Sequence, residues 1–152
     1  MSHQGVTLGI YEKRDTVIKW VLLQYVSPMG RPAITDWRSS LTISCMTDLD
    51  NFLRNMTRKS KWTYPDIGGL SGKHFKNLYE LRWRSVDRVP YRIGGYFASS
   101  TEFVMLIGWT HNKKKYDPSS ALESLQKRKK RLNTGEATLC EYTILTGRRT
   151  DE

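Results

Sequence analysis

The feature that most constrains the fold is a stretch of period-two patterning in the middle of the chain. In Leu78-Tyr79-Glu80-Leu81-Arg82-Trp83-Arg84, the residues Tyr79, Leu81 and Trp83 fall on one side of an extended backbone and Glu80, Arg82 and Arg84 on the other. A turn through Val86-Asp87-Arg88 leads to a second extended stretch, Tyr91 to Phe97, with Arg92 and Tyr96 on one face. Its paired glycines, Gly94 and Gly95, predict a bend or a close approach by another backbone. Ala98 to Thr101 turns into Phe103-Val104-Met105-Leu106-Ile107, apolar on both faces as a central strand is. Three strands joined by short turns make an antiparallel meander, and the rest of the chain must pack on it.

The flanking segments supply the packing elements. Val17 to Val26 reads as a strand that stops at the turn formers Ser27 to Pro32. Ile34, Trp37 and Leu41 recur at helical spacing, and Leu49, Phe52, Leu53 and Met56 form the stripe of a second helix beginning near Thr47 or Asp48 and ending at about Arg58. Tyr64 to Gly72 reads as a loop, and Gly108 to Tyr116 as a basic exit loop. Asp117 and Pro118 predict an N-cap and first turn for a helix through Leu132, with Leu122 and Leu125 inward and Gly135 just past its end. Thr138 to Leu145 reads as an extra C-terminal strand. The expected fold is α+β, with helices on an antiparallel sheet of about four strands in the order strand-helix-helix-strand-strand-strand-helix. Residues 1–16 are expected to form an arm, 17–145 a single domain and 146–152 a tail.

Charge narrows the function. The chain of 152 residues carries a net charge of +10, and a surface this cationic favours polyanionic partners. The excess lies in the second half: residues 1–66 hold 9 basic and 6 acidic side chains, residues 67–152 hold 16 and 9. The two cysteines, Cys45 and Cys140, are too far apart for a redox or zinc motif and read as small buried hydrophobes in a reducing cytosol. The longest apolar run is too short to cross a bilayer, so a cytoplasmic protein with no membrane partner is expected. Phosphate loops, HExxH and nucleophile-elbow motifs are missing, and His3, His74 and His111 are scattered; neither a metal nor another cofactor is expected.

What remains is a cluster of cations and a tyrosine that the strand order brings together: Arg82 and Arg84 on one strand, Arg92 on its neighbour, and Lys113, Lys114 and Tyr116 after the central strand. Metal-free RNA cleavage needs a base for the 2′-hydroxyl, cations for the charge growing on phosphorus, and an acid for the departing 5′-oxygen. Lysine, arginine and tyrosine or histidine can share those roles. Arg84, Arg88 and Lys115 are candidates for phosphate positioning. The run Lys127-Arg128-Lys129-Lys130-Arg131 reads as an electrostatic docking strip for RNA or as the face covered by an acidic partner.

The succession of "LYELR" (Leu78 to Arg82), "YRI" (Tyr91 to Ile93), an apolar strand, then Gly108-Trp109 with Lys113-Lys114 and Pro118, resembles the RelE/HigB-like toxin superfamily, in its phage-derived HigB-like branch. Gly30-Arg31-Pro32 and Trp37 fit the same pattern, which spans about residues 18–133. The resemblance implies a small RelE-like fold and a toxin of a type II toxin–antitoxin module: a metal-independent, ribosome-dependent mRNA endonuclease held inactive by a cognate antitoxin, usually of the helix-turn-helix type. It implies a site of Arg82, Arg92, Lys113, Lys114 and Tyr116, acting on mRNA at the ribosome. Glu80 departs from the pattern, standing where ribosome-dependent members often place a second basic residue. That leaves open a non-nuclease toxin of the same scaffold, like the ParE-like gyrase poisons, and a non-toxic RNA-binding module.

Overall fold

The computed structural model describes residues 17–112, 115–117 and 119–144; the expected N-terminal arm and C-terminal tail, together with Lys113, Lys114 and Pro118, lie outside them. The elements run β1 (Val21–Val26), α1 (Ala33–Ser39), α2 (Ile43–Arg58), β2 (Ile67–Gly69), a 3-10 turn (Lys73–Phe75), β3 (Tyr79–Arg84), β4 (Pro90–Ser99), β5 (Glu102–Asn112), β6 (Lys115–Asp117), α3 (Ala121–Asn133) and β7 (Thr138–Glu141). The domain is α+β. Its sheet follows the order β2-β3-β4-β5-β1-β7, with the short β6 paired onto β5.

The sheet is mixed, which corrects the antiparallel expectation. The β3–β4–β5 meander forms as its alternation predicts, but β1 pairs with β5 in parallel, with Leu22 opposite Phe103 and Gln24 opposite Met105. The two helices between β1 and the meander cross over one face of the sheet, which lets β1 return alongside β5 in the same direction. The C-terminal strand does form, antiparallel to the other side of β1. Cys140 on this edge strand is exposed rather than buried, while Cys45 is in the core.

Two apolar layers sandwich the sheet. On one side α1 and α2 bury Ile34, Leu49, Leu53 and Met56 against Leu22, Leu81, Ile93, Phe103 and Met105. On the other, Ala121 and Leu125 of α3 pack on Tyr25, Val104, Leu106 and Trp109. α2 starts at Ile43, earlier than its apolar stripe suggests, because the Thr42 side chain accepts the Cys45 N–H and caps it. α3 starts at Ala121, since Asp117 belongs to β6 instead of capping the helix. It stops where Gly135, at φ +82°, donates to Leu132 and the next N–H, Glu136, reaches Arg131.

The short α1 depends on a strand residue. Pro32 at its N-cap offers no side-chain bond. Buried Gln24 of β1 instead accepts the N–H groups of Ile34 and Thr35, each at 2.9 Å, and donates to the Thr35 hydroxyl. Gln24→Leu keeps the volume but strands the buried Ile34 N–H, so a loss of about 2 kcal/mol is expected. Urea unfolding checks it: an unchanged midpoint would show that α1 does not need the cap.

Candidate functional site

One irregularity in the sheet builds the site. β4 alternates regularly, but the β4–β5 register shifts between Gly94, opposite Ile107, and Gly95, opposite Met105, leaving Leu106 as an extra residue. This bulge reverses the alternation of β5. Phe103 and Met105 face α1 and α2, whereas Trp109, four residues on from Met105, faces α3, directly opposite Arg92. Without the bulge Trp109 and His111 would lie on the other face.

The result is a strip of charged and aromatic side chains on the α3 face. β3 contributes Glu80, Arg82 and Arg84, β4 contributes Arg92, opposite Arg82 in the register, and β5 contributes Trp109 and His111. β6 folds back to place Tyr116 opposite His111. The Tyr116 ring stacks on Trp109 at 5.9 Å between centroids and meets His111 edge-on at 4.6 Å. Leu125 and Trp109 both crowd Gly94, which pairs with Glu80, so α3 walls one side of the strip.

Glu80 is the electrostatic centre. Its Oε2 lies 2.8 Å from Arg82 Nε and 3.6 Å from Arg92 Nε. The Arg82 guanidinium lies over Gly68, where any side chain would collide with it. Arg92 is lowered from the usual arginine range, first by burial, with Arg82 and Arg84 adding to the effect and Glu80 and Tyr116 opposing it. Arginine stays protonated under these conditions. By charge count, the glutamate stands against three arginines on this face, a setting in which an incoming anion is favoured.

The structure thus brings Arg82, Arg92 and Tyr116 together, with Arg84 on the same face. Arg88 lies in the β3–β4 turn, where its carbonyl accepts from Arg84 at 2.8 Å, and Lys115 lies in β6. On α3, Lys127 and Lys130 are exposed and Arg131 partly so. Lys129 rests over the Tyr96 ring at 4.5 Å and donates to Asn133. Arg128 turns inward instead: it donates to the Leu106 carbonyl at 2.8 Å and covers the Tyr25 ring at 5.1 Å. That contact holds the bulge residue, so Arg128 supports the site from its α3 wall. Lys76 and His74 join Lys129 and Lys130 around a shallow cleft beside the helix.

In the sequence Glu80 stands apart only as a departure from the pattern, and nothing marks Tyr64. The ion-pair role of Glu80 follows from i, i+2 alternation with Arg82 and from the Gly94 register, and only the first is visible in the sequence. Among the described residues no group of three His, Cys, Asp or Glu side chains is placed to hold a metal ion. No helix among them is long and apolar enough to cross a membrane.

Fold and strip together define a three-layer α+β domain with three arginines on one sheet face. Comparison with known protein families, with curated proteins and with solved structures found no match.

Proposed function

We propose that this chain is an RNA-directed toxin of a type II toxin–antitoxin pair, a metal-independent endoribonuclease that cleaves mRNA at the translating ribosome in the cytoplasm. The observation that carries it is the convergence of Arg82 and Arg92 on the carboxylate of Glu80, with Arg84, Tyr116 and His111 on the same face. The resemblance of residues 18–133 to the HigB-like pattern supports the same reading.

In this mechanism the scissile phosphate takes over Arg82 and Arg92 from Glu80. The freed carboxylate accepts the 2′-hydroxyl proton, the 2′-oxygen bonds to phosphorus, and the bond to the 5′-oxygen breaks. Tyr116 or His111 returns a proton to the departing oxygen. The two arginines hold the charge that grows on the phosphoryl oxygens. The exposed cations of α3 dock RNA, and the same surface suits an acidic cognate antitoxin, expected to be a helix-turn-helix protein. Replacing Lys127, Lys129 and Lys130 by Gln is expected to make the fall of RNA affinity with salt shallower by roughly 2 in the log–log slope. An unchanged slope would place docking elsewhere.

One observation favours a second reading. Glu80 already pairs with Arg82 and Arg92 in the free protein, which suits a toxin that acts by protein binding, in the manner of a gyrase poison. Induction of the gene alone in a bacterial host separates the two. Growth arrest with cuts inside translated codons, read by primer extension on an abundant mRNA, supports the nuclease. Arrest with intact mRNA and inhibited topoisomerase supports the binder, and normal growth with folded protein excludes both.

A further inference from the structure

On the β3 edge of the strip lies a cleft of about 520 Å³ lined by Phe52, Tyr64, Pro65, Asp66, Trp83 and the three arginines Arg82, Arg84 and Arg92. That volume falls within the ~300–1,000 Å³ range of small-ligand sites. It exists because β2 stops short: β2 pairs with β3 only as far as Leu81, and Arg82 N–H bonds to the Asp66 carbonyl. Beyond that point the edge of β3 is open, and the loop before β2 forms the outer wall.

The wall carries an unusual residue. Tyr64 is 78% exposed, yet it stands over a cleft in place of packing into the apolar layer nearby. The Arg82 guanidinium lies 5.8 Å from its ring centroid. On the inner side the cleft rests on an aromatic stack, Phe52 against Trp83 at 4.9 Å and Trp83 against Tyr91 at 5.7 Å. Asp66 is held by Lys59, which tempers the acidic group in this cleft. A flat, exposed ring next to three guanidinium groups matches a nucleotide, whose base stacks while its phosphates take the charge. An acidic peptide would use the arginines but would leave the Tyr64 ring without a role.

We propose that this cleft is a nucleobase subsite, in which one unpaired base of the RNA stacks on Tyr64 while the adjoining phosphate is held by Arg82 and Arg92. The inference rests on the RNA-directed reading of the strip and adds to it the form of the substrate: a single strand with one base splayed out beside the cleaved linkage. Base–aromatic stacking tolerates all four bases, so the subsite sets position more than sequence.

The test is fluorescence anisotropy at low ionic strength, with the full chain and an end-labelled eight-nucleotide single-stranded RNA, intact or with one abasic nucleotide placed at each position in turn. Tyr64→Leu is expected to weaken binding of the intact RNA about 10-fold, and Tyr64→Phe or Tyr64→Trp to restore it. One abasic position should weaken wild-type binding by the same factor and cost Tyr64→Leu nothing further. The exposure of Tyr64 keeps the fold out of the comparison, which circular dichroism verifies. Unchanged binding by Tyr64→Leu, or equal losses for Leu, Phe and Trp, overturns the subsite. If binding is nevertheless lost in Arg92→Ala, the strip's RNA-directed role stands without it. If wild type does not bind the RNA, both readings fall, and a labelled acidic peptide that binds wild type but not Tyr64→Leu would name the other occupant.

Discussion

Arg92→Ala is expected to lower RNA cleavage by about 100- to 1,000-fold while leaving the protein folded. Arg92 sits at the centre of the strip, opposite Arg82 on β3 and Trp109 on β5. Its side chain is only 18% exposed, so its charge acts in a partly desolvated setting where it counts for more than it would in water. The fold should tolerate the change. Glu80 keeps its 2.8 Å contact with Arg82, which leaves no orphaned carboxylate, and the Tyr91 carbonyl loses a single donor at 3.0 Å. A stability loss of about 1 kcal/mol follows. Arg92→Lys retains the charge without the planar fork and should recover only part of the rate. Primer extension on ribosome-bound mRNA, with melting curves for all three proteins, reads the result. Cleavage by Arg92→Ala within a few-fold of wild type would remove Arg92 from the site.

The meander and the cationic pair were legible because they are written in local alternation. Glu80, Arg82 and Arg84 share a face for the same reason that Tyr79, Leu81 and Trp83 share the other. The Leu49–Phe52–Leu53–Met56 stripe likewise announces α2, but its first turn was hidden, since Ile43 is 82% exposed and only Cys45 turns inward there. What local pattern cannot carry is pairing across long separations. The parallel β1–β5 register joins Leu22 to Phe103, and nothing near either residue states that direction. The reversal at Leu106 was also hidden. Strict alternation from Phe103 would send Trp109 toward α1, and the inward turn of Arg128 to the Leu106 carbonyl depends on that bulge. The return strand β6 read as a loop because its three residues show no apolar period. The site was therefore half legible: its arginines from one strand pair, its aromatic half only from the bulge.

Gly95→Ala is expected to produce the largest stability loss of any single methyl addition to the sheet. The pair Gly94-Gly95 suggested a close backbone approach, and the closeness belongs to the second glycine. A methyl group on Gly95 would overlap the carbonyl oxygen of Val104 and lie 2.9 Å from the Phe103 ring. That oxygen is part of the central strand's backbone and cannot swing aside as a side chain can. A methyl group on Gly94 meets only the end of Leu125 and the Trp109 ring, at 2.9 Å, so Gly94→Ala can be absorbed partly by a rotamer change. For Gly95→Ala the overlap is relieved only by separating β4 from β5 at the bulge, at a cost of about 3 kcal/mol or more. For a chain of this size that corresponds to a melting temperature lowered by roughly 6–12 °C. The same displacement carries a functional consequence, because the bulge is what turns Trp109 and His111 toward Arg92. Activity of the surviving folded fraction should fall further than its population. Thermal melts of the two alanine variants, followed by cleavage assays well below each midpoint, test both halves: equal melting of the two would mean that the Val104 backbone yields, and full activity in folded Gly95→Ala would mean that the strip does not depend on the bulge.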